Sequence, residues 1–161
     1  MSIVESITTR RNIKQFKPDP ISKDDILSWL QAATMAPNHR MTEPWQVLFI
    51  GPETRAKLNH KTDFGGAPVV LVIVAEPGKT PVDSEENIVA ASCFLQNFML
   101  AAHEHGVGTG ITSLGATPTG RAILEVPDGY AVVATVPVGY PADVPSPKAR
   151  TPIMDKLKQL P

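Results

Sequence analysis

The sequence lacks most of the features that mark secreted, membrane-bound or nucleic-acid-binding proteins. It contains a single cysteine, Cys93, which excludes an internal disulfide and fits a reducing cytosol. The formal net charge is −1, so there is no overall positive field to attract a nucleic acid. The longest apolar run, residues 67–75, is far too short to cross a bilayer, and residues 1–11 lack the apolar core of a signal peptide. We therefore expect a cytoplasmic protein without nucleic-acid or membrane partners, which binds small molecules or a second copy of itself.

Several common catalytic signatures are also missing. There is no phosphate-binding P-loop, no spacing of ligands that predicts a metal site, and no legible Ser-His-Asp arrangement. The glycine run 106–110 follows a helix pattern instead of a strand, so it predicts a helix stop and a close backbone crossing. His103 and His105 are two residues apart on a predicted helix and cannot share a face. Cys93 lies on a mostly apolar helical segment, where we expect it to be buried and inert.

The chain does contain enough apolar material for one compact domain. With 161 residues and 42% hydrophobic content, we expect a single domain over 1–161. Hydrophobic periodicity and turn residues predict the order ααβαβαβαβ, which is an α+β, three-layer fold with a small central sheet of about four strands. The expected helices cover about 2–9, 22–36, 54–60, 84–105 and 117–124, and the expected strands 45–50, 69–75, 107–112 and 130–138. Pro137 predicts that the last strand ends at a sheet edge or a bulge.

The helix expected from Ser84 to His105 is apolar around most of its circumference. Such a helix lies in the centre of a domain or in a subunit interface. A domain of this size has little sheet to cover it, so we expect an obligate homodimer.

Two short runs near the N-terminus carry the chemistry. The run from Arg10 to Lys14 offers two guanidinium groups and an ammonium, which suit a phosphate dianion, and a second basic pair follows at Lys148 and Arg150. The run from Ala36 to Arg40 presents a carboxamide and an imidazole on a turn, which suit a flat polar ring. Taken alone, the cations are also compatible with an ordinary solvated surface, and His39 with an ordinary surface histidine. Together the two runs indicate a phosphorylated aromatic cofactor.

In order and spacing, these runs resemble the nitroreductase family of flavin-dependent oxidoreductases, particularly its compact short-chain branch. The resemblance extends through Glu43-Pro44-Trp45, the Ala67-Pro68 strand start, the helix end at Gly106 and the Gly139-Tyr140-Pro141 turn. It implies a nitroreductase-like fold, a domain-intertwined homodimer and two FMN molecules bound across the interface.

The resemblance also implies roles for individual residues. Arg10, Arg11 and Asn12 would hold the FMN phosphate and ribityl region, and Lys148 and Arg150 would complete the phosphate site. Lys14 would approach the N1–C2 edge of the ring, and the backbone of Thr112, Ser113 and Leu114 would lie near it. Pro37, Asn38 and His39 would come from the partner chain.

Two positions depart from the family pattern. Asn12 replaces the usual Ser, and Glu43 replaces the usual Gln, so we expect Glu43 to face solvent or to pair with Arg40.

The implied activity is transfer of hydride from NADH or NADPH through flavin N5 to an electron-poor acceptor such as a nitroaromatic or a quinone. The longer members' substrate-pocket excursion is missing here, which leaves a non-catalytic flavin-binding sensor or carrier as an alternative. A weaker alternative is a domain without flavin that dimerises through the long helix.

Overall fold

The computed structural model describes residues 1–160 and contains five α-helices and four β-strands among them. The helices are α1 (Ile3–Thr9), α2 (Lys23–Ala33), α3 (Pro52–Leu58), α4 (Pro81–Glu104) and α5 (Pro118–Ile123). The strands are β1 (Trp45–Phe49), β2 (Val69–Ala75), β3 (Gly108–Thr109) and β4 (Ala131–Gly139). Their order along the chain is the predicted ααβαβαβαβ, so the α+β fold class is confirmed.

Polar residues start the helices, mostly as the sequence predicts. The Ser2 side chain accepts the Glu5 N–H at 3.1 Å, and the Ser22 side chain accepts the Asp25 N–H at 3.5 Å. For α4 the predicted start at Ser84 is wrong, because Thr80 forms the capping box with Asp83 and α4 begins at Pro81. The Ser84 hydroxyl instead accepts the Gly78 N–H at 2.9 Å, which fixes the preceding turn.

The ends of two helices also test the predictions. Helix α2 stops at Ala33, before Pro37, and single-turn hydrogen bonds continue as far as Ala36. Helix α4 ends before Gly106, whose φ of +75° makes it the expected stop.

The four strands form one antiparallel sheet in the order β1-β2-β4-β3. Strand β4 is therefore an interior strand, contrary to the edge position that was one of the two expectations from Pro137. The bulge that was the other expectation is not at Pro137 either, since the register shift between β2 and β4 lies at Ile73 and Val74 and Pro137 pairs regularly with Val70. Proline has no amide hydrogen, so Pro137 cannot donate a hydrogen bond on the side of β4 that faces β3. At this point, however, β3 has already ended at Thr109, and the Pro137 carbonyl accepts the Gly110 N–H at 3.0 Å. The missing donor thus faces a loop, and no ladder bond is lost.

Helix α4 lies at the centre of the main hydrophobic core. Phe94, Phe98 and Ala102 on its inner face are buried against α2 and against β2 and β4. Trp45 of β1 is half-buried and stacks on Phe94, with ring centroids 5.0 Å apart. The core is therefore built between α4 and the sheet, and α4 is the long central helix that the sequence predicts.

Candidate functional site

A cavity of about 630 Å³ lies beside the segment that joins α1 to α2. This volume is typical of small-molecule sites. It is lined by Asn12, Ile13, Lys14, Gln15, Phe16, His60, Thr62, Phe64, Gly65, Gly110, Ile111, Thr112, Pro137 and Ala142. Three of the predicted site residues, Asn12, Lys14 and Thr112, are thus brought to one cavity. We call it the main cavity.

Backbone hydrogen bonds hold the wall that carries Lys14. The Ile13 N–H donates to the Thr109 carbonyl at 2.9 Å, and the Phe16 N–H donates to the Gly65 carbonyl at 2.9 Å. The Asn12 side chain is part of the same support, since its Oδ1 accepts the Ile111 N–H at 2.8 Å. Lys14, between these anchors, is exposed at the cavity wall. The support therefore fixes the backbone of Lys14 and leaves its ammonium free to meet a ligand.

Glycines allow the cavity walls to approach one another. Gly65 has a φ of +69°, and a Cβ added to it would overlap the carbonyl of Lys14. A Cβ on Gly110 would lie 2.6 Å from the Ile13 carbonyl oxygen. The close approach at Gly110 agrees with the backbone crossing predicted for the glycine run 106–110. The contact at Gly65 was not predicted, because it comes from a distant segment.

Arg10 and Arg11 line a different, smaller cavity of about 210 Å³, which we call the basic cavity. Ile13 lies in the walls of both cavities, so the two adjoin along residues 10–14. His103 of α4 also lines the basic cavity. No carboxylate side chain lines it among the residues that the structure describes.

The electrostatics of the basic cavity follow from this crowding of cations. Burial, and secondly the neighbouring Arg11, lower the pKa of the half-buried Arg10 guanidinium. Its Nη1 donates only to the Arg11 carbonyl, at 2.9 Å, and neither arginine forms an ion pair within residues 1–160. Burial, followed by Arg10 and Arg11, lowers the pKa of His103. An anion placed here would relieve this repulsion.

The predicted ring-covering residues Pro37, Asn38 and His39 are in neither of these cavities. They line a shallow depression of about 500 Å³ against the exposed side of α4, together with Val82, Val89 and Cys93. Cys93 is therefore half-buried at a surface depression and not fully buried as expected. His39 Nδ1 lies 3.8 Å from the Glu86 carboxylate of α4.

Asn38 holds this loop in an uncommon conformation. Its Oδ1 accepts the Glu43 N–H at 3.0 Å, and its Nδ2 donates to the Ala36 carbonyl at 3.2 Å. Within the loop that these bonds hold, Arg40, Met41 and Glu43 have positive φ values of 53°, 53° and 46°. Non-glycine residues in this region are costly and concentrate at functional sites. Glu43 is exposed and forms no ion pair with Arg40, so of the two expectations for Glu43 the structure supports the solvent-facing one.

The remaining predicted residues lie apart from the main cavity. Ser113 is exposed, and Leu114 packs beside the buried Leu58, Phe64 and Val70. Lys148 and Arg150 are exposed and meet only through a hydrogen bond from Arg150 Nη1 to the Lys148 carbonyl at 3.0 Å. They line none of four cavities: the three described above and a fourth, of about 340 Å³, which His39, Arg40 and Glu86 help to line. Within this single chain they do not join Arg10 and Arg11.

His60 lines the main cavity, although it was not among the residues predicted for the site. Its Nδ1 accepts the Phe64 N–H at 3.0 Å, and its ring stacks on the Phe64 ring at 4.4 Å. The Arg55 guanidinium in turn lies 5.7 Å from the centroid of the Phe64 ring. The only signal in the sequence is a histidine four residues before an aromatic, which is too common to indicate a site.

Two other features concern a metal centre and a membrane-spanning helix. Among residues 1–160, no group of three or more His, Cys, Asp or Glu side chains is arranged to hold a metal ion. In the same range, no helix combines the length and the apolar character needed to cross a membrane.

Comparison with known proteins gives a consistent result. The sequence model of the Nitroreductase family matches residues 7–62 and 56–140. A Bacillus subtilis protein assigned as an NAD(P)H nitroreductase is 29% identical over 96% of this chain and 92% of its own length. A nitroreductase-like family protein from Bacillus cereus superimposes with a TM-score of 0.89 at 27% identity, covering 99% of this chain and 96% of the other.

A further solved structure bears on the cofactor. The structure of a protein from Exiguobacterium sibiricum was determined in complex with FMN. It superimposes with a TM-score of 0.87 at 18% identity, covering 99% of this chain and 98% of the other, which establishes the shared fold.

Proposed function

Because the chain belongs to the nitroreductase family, we propose that it is an FMN-dependent oxidoreductase that passes hydride from NADH or NADPH to an electron-poor acceptor, such as a nitroaromatic or a quinone. The family consists of enzymes, and the Bacillus subtilis relative named above is an NAD(P)H nitroreductase by assignment. The cofactor and the acceptor class belong to the proposal. A cytoplasmic location stays a prediction from the sequence.

The observation that carries the proposal is the pairing of the two adjoining cavities. The main cavity has the volume of a small-molecule site, mostly apolar walls and a free lysine ammonium. The basic cavity, which shares Ile13 with it, offers two guanidinium groups and no carboxylate among the described residues. A flat ring with a phosphate tail matches this donor set. Arginine binds two phosphate oxygens at once, in a bidentate fashion, and a lysine complements an electron-rich ring edge.

FMN, when bound, would supply the hydride-accepting and hydride-donating atom, so the protein contributes binding and electrostatics. In the proposal, Arg10 and Arg11 hold the phosphate and Asn12 orients the intervening chain. The Ile13 and Phe16 backbone bonds hold the backbone of Lys14, and its free ammonium offsets negative charge at the ring edge. Thr112 supports the cavity wall to which it belongs, since its N–H and carbonyl both bond to Thr135 at 2.9 Å.

Exposed apolar surface supports the homodimer as part of the same proposal. Ile3, Val4 and Ile7 of α1 are more than half exposed, and so are Val82 and Val89 of α4. Residues 142–160 run over the surface with every residue exposed, including Ile153, Met154, Leu157 and Leu160. A second copy would cover these surfaces, and its loop of Pro37, Asn38 and His39 would then reach the flavin of the first copy.

We expect Val89→Glu to dissociate this dimer. The substitution places a charge at the centre of the apolar side of α4, where burial without a partner is costly. The dimer dissociation constant should rise about a hundredfold or more, measured by sedimentation equilibrium. Leu27→Glu, at a comparably exposed apolar position on α2, is the matched control and should remain dimeric. A folded, FMN-loaded wild-type monomer at low concentration would contradict the dimer.

The function is tested on the purified protein under anaerobic conditions. We expect a yellow protein whose flavin absorbance is lost within seconds of adding NADPH or NADH and returns on adding a nitroaromatic or a quinone. Protein that binds FMN but is not reduced by either nicotinamide would instead support the flavin-binding sensor or carrier. A colourless protein that takes up no added FMN would overturn both and favour a domain that only dimerises.

A further inference from the structure

We infer that His103 is the proton-accepting member of the basic cavity, so that binding of a phosphate monoester there takes up a proton at His103 Nδ1. The inference rests on the proposed function, in which that monoester is the phosphate of FMN. His103 is not among the residues that the sequence or the family resemblance assigns to the site.

The hydrogen bonds of Thr9 determine which ring nitrogen titrates. The Thr9 hydroxyl has one hydrogen, and two acceptors that cannot donate lie near it, the Glu5 carbonyl at 2.7 Å and the Met1 sulfur at 3.7 Å. We assign the hydrogen to the Glu5 carbonyl, which is the closer and stronger acceptor. The contact of 2.9 Å between Thr9 Oγ1 and His103 Nε2 therefore has Nε2 as the donor. This leaves Nδ1 as the nitrogen that gains or loses a proton, and it has no hydrogen-bond partner among residues 1–160.

The surroundings of His103 oppose its positive charge until an anion arrives. Arg10 and Arg11 face it across the basic cavity, and partial burial adds to their effect. The nearest carboxylates are engaged elsewhere: Glu104 lies 3.9 Å from the Met1 amino group, and Glu5 accepts the Ser2 N–H at 3.3 Å. The neighbouring His105 turns away, since its Nδ1 donates to the Ala101 carbonyl and its ring lies against Trp29.

A dianion in the basic cavity reverses this balance. It attracts both guanidinium groups and lowers the cost of a third positive charge, so the His103 pKa rises on binding. Between the pKa values of the free and the bound state, binding takes up protons, and the affinity falls as the pH increases. An opposite charge within a few ångströms shifts a pKa by about one unit or more, which corresponds to an affinity change of about tenfold.

The test compares FMN with riboflavin, which lacks the phosphate, on the protein freed of flavin. Calorimetry in buffers of different ionisation enthalpy should show that FMN binding near pH 6 takes up more protons, or releases fewer, in the wild type than in His103→Gln, whose amide can still donate to Thr9. Riboflavin binding should show no such difference between the two proteins. The FMN affinity of His103→Gln should match the wild type near pH 8 and be about tenfold weaker near pH 5.5. Comparing the wild type with His103→Gln also cancels the proton exchange that comes from the FMN phosphate itself, which ionises near pH 6.

His105→Gln is the matched control and should behave as the wild type. If His103→Gln does not fold, the ring carbon shifts of His103 followed by NMR, with and without FMN, give the two pKa values directly. Tight FMN binding with the same pH profile in wild type and His103→Gln would overturn this inference alone. Failure of the wild type to bind any FMN would overturn the proposed function as well, which separates the two cases.

Discussion

Replacing Arg10 and Arg150 together by alanine should weaken FMN binding by about a hundred- to ten-thousandfold. A hydrogen bond to a charged group contributes about 1.5–3 kcal/mol, and the double variant removes two such groups from the proposed phosphate site. Arg10 has no carboxylate partner among the described residues, so its loss leaves no unpaired acid behind. The dissociation constant is measured by quenching of flavin fluorescence.

Controls separate the phosphate from the rest of the cofactor. Riboflavin should bind the double variant and the wild type equally, because it has no phosphate to lose. Lys23→Ala with Lys57→Ala removes the same charge from two exposed positions that line none of the four cavities, and should leave FMN binding unchanged.

The single variants Arg10→Ala and Arg150→Ala test the contribution of Arg150 separately. Arg150 is exposed and apart from the basic cavity in this chain. Val144, however, lines that cavity, and six extended residues span up to about 20 Å. If Arg10→Ala alone reproduces the double variant, Arg150 is not part of the site. A double variant that still purifies fully loaded with FMN would refute the phosphate assignment altogether.

Gly65→Ala should lower the free energy of unfolding by about 2–4 kcal/mol and impair FMN binding. The φ of +69° costs a side chain about 1 kcal/mol. The added Cβ would also overlap the Lys14 carbonyl, and displacing a packed backbone costs about a further 1–3 kcal/mol. The displacement moves Lys14 at the wall of the main cavity, so ligand affinity should fall together with stability. Urea unfolding and FMN titration measure the two effects.

The neighbouring glycine offers a control that separates conformation from crowding. Gly66 has a similar φ of +74°, but a Cβ there would lie 3.8 Å from the nearest atom, the Phe16 carbonyl oxygen. Gly66→Ala should therefore cost only about 1 kcal/mol and leave FMN affinity nearly intact. Equal costs for the two variants would show that the close approach of Gly65 to Lys14 does not constrain the cavity.

Local signals in the sequence were sufficient for most elements. The capping box at Ser2, the β-branched run 69–75 and the Thr117-Pro118 helix start are each complete within a few residues, and the structure confirms all three. The start of α4 was misplaced because Thr80 and Ser84 both offer a hydroxyl at a helix start. Only the turn at Gly78, which binds the Ser84 hydroxyl, decides between them.

The residues of the candidate site likewise fall into those that the sequence reveals and those that only the structure reveals. The basic run 10–14 and the loop 37–39 are recognisable in the sequence because their chemistry is concentrated in adjacent residues. His60, Gly65 and His103 are not, since each becomes part of a cavity only when a segment far away in the sequence packs against it. Roles proposed for Lys148 and Arg150 depend on contacts that a single chain does not contain.

The sequence by itself determined the α+β class, the order of elements and the residue types available to hold an anion and a ring, because propensity, capping and periodicity act over short stretches of chain. The tertiary structure alone decided that β4 is interior, that Arg10 and Lys14 open into two adjoining cavities, and that a histidine at the end of α4 faces the arginines after α1. These are outcomes of long-range packing: the burial of α4 against the sheet fixes which distant side chains meet, and no local pattern encodes that choice.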